Sequence, residues 1–179
     1  MVLIYTNIEE AIHFVFKAFH NINRRREEIG AAFHSISVGF MLKEIGCNEK
    51  TIIAGLLHDI IEDTIYTYED IKELFGQDIA DIVKQVSEDY NLIDWKERKE
   101  ELVGRLENAS LEILLIEAAD KLQNLLTDYH LFEKGKKIYY NFDDVKWYYC
   151  AIYEILIKNF DNDLTNRYKS LISMYFDYK

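Results

Sequence analysis

Proline is absent from the 179 residues, and glycine occurs only 7 times. Average usage of about 5% would give roughly nine prolines. The chain therefore lacks the residue that most sharply interrupts helices, and it is short of the turn formers that an all-β sandwich requires. Cysteine is equally scarce. Cys47 and Cys150 are too few for a disulfide framework or a thiolate zinc site, which fits a reducing cytoplasm. No apolar run approaches the roughly 18 residues of a membrane span, and the apolar start at residues 2–5 lacks a basic flank and soon meets Glu9 and Glu10, so neither export nor membrane insertion is expected. Positive charge is also in deficit. The 21 Lys and Arg against 32 Asp and Glu leave a net charge of -11, the opposite of a nucleic-acid-binding footprint. A small polyanion would be repelled as well, unless bases or a bound cation are focused locally. Phosphate chemistry on this chain therefore implies a metal.

What is present is a folding composition, 49% hydrophobic and 30% charged, with helical periodicity almost from end to end and neither linker nor repeat. A single all-α domain over residues 1–179 is expected. Asn7 can cap a helix carrying Ile8, Ile12, Val15, Phe16 and Phe19 and ending near Asn23. A second helix is predicted over residues 31–45, stopped by Gly46, and Asn48 then caps a third through Ile52, Ile53, Leu56, Leu57 and Ile60. Thr67 with Asp70 resembles a capping box for a short helix closed by Gly76, and Asp94 with Glu97 repeats the pattern. Ser110 precedes a long apolar segment over residues 111–129. Two aromatic-rich helices follow within residues 143–179.

The run Gly55-Leu56-Leu57-His58-Asp59-Ile60-Ile61-Glu62-Asp63-Thr64 places a concentration of polar groups at the end of a greasy helix. On a helix Glu62 follows His58 by four positions and Asp59 by three, and Asp63 follows Asp59 by four, so the side chains share one face or its shoulder. Three carboxylates and an imidazole packed beside leucines would suffer desolvation and repulsion unless a cation sat among them. Imidazole and carboxylate without thiolate suit Mn, Fe, Zn or Mg. Two further polar residues fall where a core is expected: His34, in the middle of the preceding helix, and Asp120, inside the Ala-Ala-Asp-Lys-Leu-Gln-Asn stretch of the most apolar segment. Singly, such residues are usually hydrogen-bonded core groups. Together, on three successive segments, they form a constellation.

The order His34, His58-Asp59, Glu62-Asp63, Asp120 resembles the HD metal-dependent phosphohydrolase superfamily. More narrowly, Gly55-Leu56-Leu57-His58-Asp59-Ile60-Ile61-Glu62-Asp63-Thr64, the Phe75-Gly76 turn and Ala118-Ala119-Asp120-Lys121-Leu122-Gln123-Asn124 resemble the hydrolase domain of the RelA/SpoT family and its small stand-alone relatives, over about residues 20–130. The resemblance implies an HD-type helical bundle holding one Mn2+ through His34, His58, Asp59 and Asp120. It implies Glu62 and Asp63 as the acids of water activation and proton transfer, and Asn124 as a substrate contact. It further implies removal of the 3′-pyrophosphate from guanosine tetra- or pentaphosphate. A chain of this length has no room for synthetase and regulatory domains, so a dedicated small alarmone hydrolase is expected. The family's Pro-Tyr before its first metal-binding His is replaced by Gly30-Ala31-Ala32-Phe33, and its His before the substrate-contacting Asn by Gln123.

A bound metal lowers the pKa of its water and neutralises charge developing on phosphoryl oxygens, leaving water activation and leaving-group protonation to Glu62 and Asp63. Arg24, Arg25 and Arg26, with Lys121 beside Asp120, are the expected local positive field for the nucleotide. Trp147, Tyr148 and Tyr149 read as core or interface, Trp95 through Lys99 as a helical first turn with solvated charges, and His13, His20 and His130 as structural. Two other readings stay open: the same machinery acting on another nucleotide, such as an adenine alarmone, NADPH or a nucleoside phosphate, and a catalytically silent HD module that binds a nucleotide. Homo-oligomerisation is likewise open.

Overall fold

The computed structural model describes residues 7–23, 30–135 and 142–176. Among them every regular element is helical, and the single pairing outside helices is an isolated bridge between Asn23 and Gly30. The fold class is all-α. Packing divides the chain into two compact units, Met1–Ser87 and Glu88–Lys179.

The first unit contains α1 (Asn7–Ala18), α2 (Ala32–Glu44), α3 (Glu49–Leu57), α4 (Ile60–Asp63), α5 (Tyr68–Phe75) and α6 (Gln77–Val86). α1 stops at Ala18, short of the expected Asn23, and Asn21 adopts a left-handed φ of 63° in the turn beyond it. Its buried face also differs from the expected stripe. Phe14 points inward and packs its ring on Tyr66 and Phe75 at 4.7 and 5.5 Å, whereas Phe16 is exposed. The Asn48 side chain caps α3 by accepting from the Thr51 N–H at 2.9 Å. Thr67 and Asp70 form the full reciprocal capping box on α5, and Gly76, at φ 90°, closes it. A residue with a Cβ would be strained at that angle. Val38, Leu42, Ile53, Leu57, Ile60 and Ile71 fill the core of the unit.

The second unit contains α7 (Trp95–Leu106), α8 (Leu111–Glu133), α9 (Phe142–Asn159) and α10 (Asp163–Phe176). Asp94 caps α7 by accepting from the Lys96 and Glu97 N–H groups at 2.9 and 3.1 Å. Ser110 precedes α8 without a side-chain cap. α8 packs on α9 and α10, and aromatic rings line that packing, Tyr153 stacking on Tyr168 at 5.8 Å and Tyr149 on Phe176 at 5.8 Å. Tyr148 and Tyr149 are thus core residues. Among the described residues no helix is long and apolar enough to cross a membrane.

Candidate metal centre

In the first unit α2 carries His34 inward, and the end of α3 delivers His58; both imidazoles are buried. Their Nε2 atoms lie 3.0 Å apart. The half-buried Asp59 carboxylate completes the group, with Oδ1 3.1 Å from His58 Nε2 and Oδ2 3.3 Å from His34 Nε2. His58 Nδ1 is 2.8 Å from the Gly55 carbonyl oxygen. A carbonyl can only accept, so Nδ1 carries the proton and Nε2 presents its lone pair to the cluster.

The sequence spacing predicts one continuous helix through this region, and the structure corrects that. α3 ends at Leu57, and a short α4 resumes at Ile60, with Asp59 at ψ -1° between them. In an unbroken helix consecutive side chains diverge by about 100°. The loosened turn lets neighbouring His58 and Asp59 reach the same point. Thr64 then ends α4, its hydroxyl donating to the Ile60 carbonyl at 2.7 Å and accepting from the Tyr66 N–H at 3.1 Å. Glu62 and Asp63 occupy this brief turn, half-buried and exposed respectively. Two imidazoles and a carboxylate with no sulfur are a donor set for Mn, Fe, Zn or Mg, and their convergence fits a divalent cation.

In the second unit Asp120 lies buried on α8. Its Oδ1 accepts from Asn124 Nδ2 at 2.6 Å, and its Oδ2 bonds the Lys121 ammonium. Lys121 Nζ also lies 3.3 Å from Glu117 Oε2, four residues back along the helix. Burial pushes the Lys121 ammonium down, but Asp120 and Glu117 outweigh it and hold the group well above its ordinary range. Lys121, expected beside Asp120 as part of the local positive field for the nucleotide, has a side chain only 9% exposed and is engaged by these two carboxylates. Gln123, at the position of the family's His, is also buried and donates to Thr127 at 3.2 Å.

Of the charges expected to be solvated on the first turn of α7, Lys96 and Glu97 are exposed, whereas Arg98 and Lys99 are largely covered. Arg98 and Lys99 are 16% and 12% exposed and share the Glu88 carboxylate: Arg98 Nε lies 3.2 Å from Oε2, and Lys99 bonds Oε1. Lys99 also sits over the Tyr148 ring at 4.7 Å. Burial pushes Glu88 up, and the Lys99 and Arg98 cations outweigh it and hold the carboxyl below its ordinary value. Glu88 and Glu117 were not singled out from the sequence. Glu117 had a readable signal, an acid at i-4 from Lys121 inside the most apolar segment. Glu88 had none, because its partners lie across a turn. Arg24, Arg25 and Arg26 lie outside the described residues, while His13, His20 and His130 are exposed and take no part in the cluster.

Residues 11–139 match the model of a family described as HD domain. The chain belongs to the HD domain family. This HD-domain chain is 35% identical, over 133 residues, to the guanosine-3′,5′-bis(diphosphate) 3′-pyrophosphohydrolase of Aquifex aeolicus, covering 73% of this chain and 19% of that protein. It is 36% identical over 115 residues to the Drosophila melanogaster guanosine-3′,5′-bis(diphosphate) 3′-pyrophosphohydrolase MESH1, covering 62% of this chain and 64% of that one. The chain thus spans about a fifth and about two thirds of the lengths of these two relatives. A solved structure of a metazoan ortholog of SpoT, described as hydrolysing ppGpp, superposes with a TM-score of 0.80 over 97% of this chain and 98% of its own, at 23% identity. That likeness fixes the HD-type helical fold.

Proposed function

We propose that this HD-domain chain is a Mn2+-dependent phosphohydrolase that removes the 3′-pyrophosphate from guanosine tetra- or pentaphosphate. The observation that carries the reading is the convergence of His34, His58 and Asp59 within 3.0 to 3.3 Å, directly before the acidic turn of Glu62 and Asp63. Asp120 is the fourth ligand in this proposal, on the strength of the motif it shares with the family. The names of the Aquifex and Drosophila relatives support the substrate and the bond. The HD model crosses residue 87, where the two units divide, which supports their acting as one hydrolase domain. Cys47 and Cys150, neither in a disulfide, fit a cytoplasmic reaction.

When bound, a divalent cation supplies Lewis acidity to the phosphoryl group and acidifies water. The residues of the chain do the rest. His34 and His58 present lone pairs, with the Gly55 carbonyl fixing the His58 tautomer, and Asp59 offsets the positive charge. Of Glu62 and Asp63, one takes a proton from the attacking water and the other returns one to the departing ribose 3′-oxygen. Water adds to the phosphorus on the 3′-oxygen, that P–O bond breaks, and pyrophosphate leaves with GDP or GTP. Asn124 and at least one of Arg24, Arg25 and Arg26 hold the nucleotide.

The test is product identification from a panel of ppGpp, pppGpp, an adenine alarmone, NADPH and nucleoside phosphates, with Mn2+ supplied. Pyrophosphate and GDP or GTP are expected from the 3′-pyrophosphates, and Asp59→Ala should abolish them. An active Asp59→Ala enzyme would remove the metal cluster from the mechanism. Equal turnover across the panel would remove the substrate, and stoichiometric binding without release would leave a binding module.

A further inference from the structure

Three charged side chains are buried together on one stretch of α8: Glu117, Asp120 and Lys121. Only one of them, Asp120, has a role in the proposed chemistry. We infer that Glu117 is a positioning residue, drawing off the Lys121 charge so that the Asp120 carboxylate keeps its net negative charge for a divalent cation. This assignment rests on the reading of Asp120 as a ligand and deepens it.

The argument is one of charge and lone pairs. Lys121 bonds Asp120 Oδ2 and Asn124 donates to Oδ1, so both oxygens are oriented from within α8. A carboxylate has about four acceptor positions, so bonding to Lys121 and Asn124 does not by itself prevent metal ligation. Charge is the harder condition. An ammonium resting on Asp120 alone would cancel the carboxylate and repel a second cation in a poorly screened interior. Glu117 changes that balance. Its Oε2 is 3.3 Å from the same ammonium, so the trio carries a net charge of minus one rather than zero. The Tyr148 ring, 5.9 Å from Lys121 Nζ, helps shield the group from water. Lys121 thereby rests against a ligand without neutralising it, and it is engaged by Asp120 and Glu117 rather than by the nucleotide.

The test is calorimetric titration of the metal-free chain with Mn2+, using variants whose fold is checked by circular dichroism. E117Q leaves the ammonium wholly on Asp120, and its Kd for Mn2+ should rise about tenfold, the lower end of losses seen when outer partners of ligands are removed. E117Q/K121M removes the buried pair together and should return the Kd to within about threefold of wild type. Wild-type affinity in E117Q would overturn the assignment, as would a double variant no tighter than E117Q. If E117Q does not fold, a Kd weakened tenfold in the double variant overturns it by itself. At saturating Mn2+ the double variant should keep its nucleotide KM, and a tenfold rise would return Lys121 to a substrate contact. D120N separates the underlying reading: wild-type Mn2+ affinity there would show that Asp120 is not a ligand, whatever E117Q does.

Discussion

His58 and Asp59, proposed here as metal ligands, are followed three residues later by Glu62 and Asp63, proposed as the acids of proton transfer. The first pair sits at the break between α3 and α4, where His58 Nε2 and Asp59 Oδ1 are 3.1 Å apart. The second pair occupies a turn that Thr64 terminates, and it is more open to solvent. A group that only transfers protons affects the rate and leaves cation affinity alone. Glu62→Gln and Asp63→Asn are therefore expected to lower kcat by about 10²- to 10⁴-fold while Mn2+ binds within about threefold of wild type. Steady-state kinetics beside metal titration measures both. A variant that loses metal in proportion to rate would make that acid a ligand instead. At this scale the sequence was informative wherever chemistry is local. His34, His58 and Asp59 were legible as polar residues out of place among leucines and isoleucines. The engagement of Lys121 was half legible through Glu117, and the burial of Arg98 and Lys99 on Glu88 was not, since the pairing spans 10 and 11 positions across a turn.

The two imidazoles meet because α2 and α3 approach closely, and two glycines set that approach. A Cβ on Gly39 would lie 2.5 Å from Leu56 Cδ2 and 2.6 Å from Leu56 Cγ, and one on Gly55 would lie 2.2 Å from Leu42 Cδ1. Each helix thus receives a leucine of the other where it has no side chain. The Leu56 contact is the harder to relieve, because Cγ is a branch point of a fully buried residue rather than a free tip. Gly39→Ala should cost about 1–3 kcal/mol by overpacking, with Tm falling by roughly 2–4 °C per kcal/mol and Mn2+ affinity falling too as His34 moves away from His58. An unchanged Tm with intact metal binding would mean that Leu56 can repack and that the approach is not set here. Caps and stops were readable before the structure because they are local chemistry: Asn48, the Thr67 and Asp70 box, Gly46 and Gly76 all do what their side chains or lack of them dictate. The break at Asp59 was not, because it resides in one ψ angle, with no Gly or Pro to mark it. Nor was the inward turn of Phe14 in place of Phe16, which packing on Tyr66 and Phe75 decides.

For the whole molecule the dominant physical fact is its excess of acids, with a net charge of -11. Acidification removes that excess and leaves 21 Lys and Arg together with 5 His, so repulsion grows as structural carboxylates lose their partners. Glu88 is the member of this set whose environment is best defined. Burial opposes its ionisation, yet Lys99 and Arg98 hold it ionised below the ordinary glutamate value. A carboxyl whose folded pKa is depressed stabilises the fold above its unfolded pKa, near 4.3. That contribution is lost as the pH falls through the lower folded value, because the unfolded chain then binds the proton first. Glu88→Gln removes the counter-charge of two cations that are 16% and 12% exposed, while Arg98 keeps its bonds to the Leu92 and Ile93 carbonyls. It should cost roughly 3 kcal/mol at pH 7, the low end for breaking a buried pair because neither cation is fully enclosed. The difference in Tm between wild type and Glu88→Gln, followed by thermal unfolding from pH 7 to pH 3, should be constant down to about pH 4.5 and shrink below it. A difference that persists unchanged at pH 3 would show that Glu88 acts there by its shape and not by its charge.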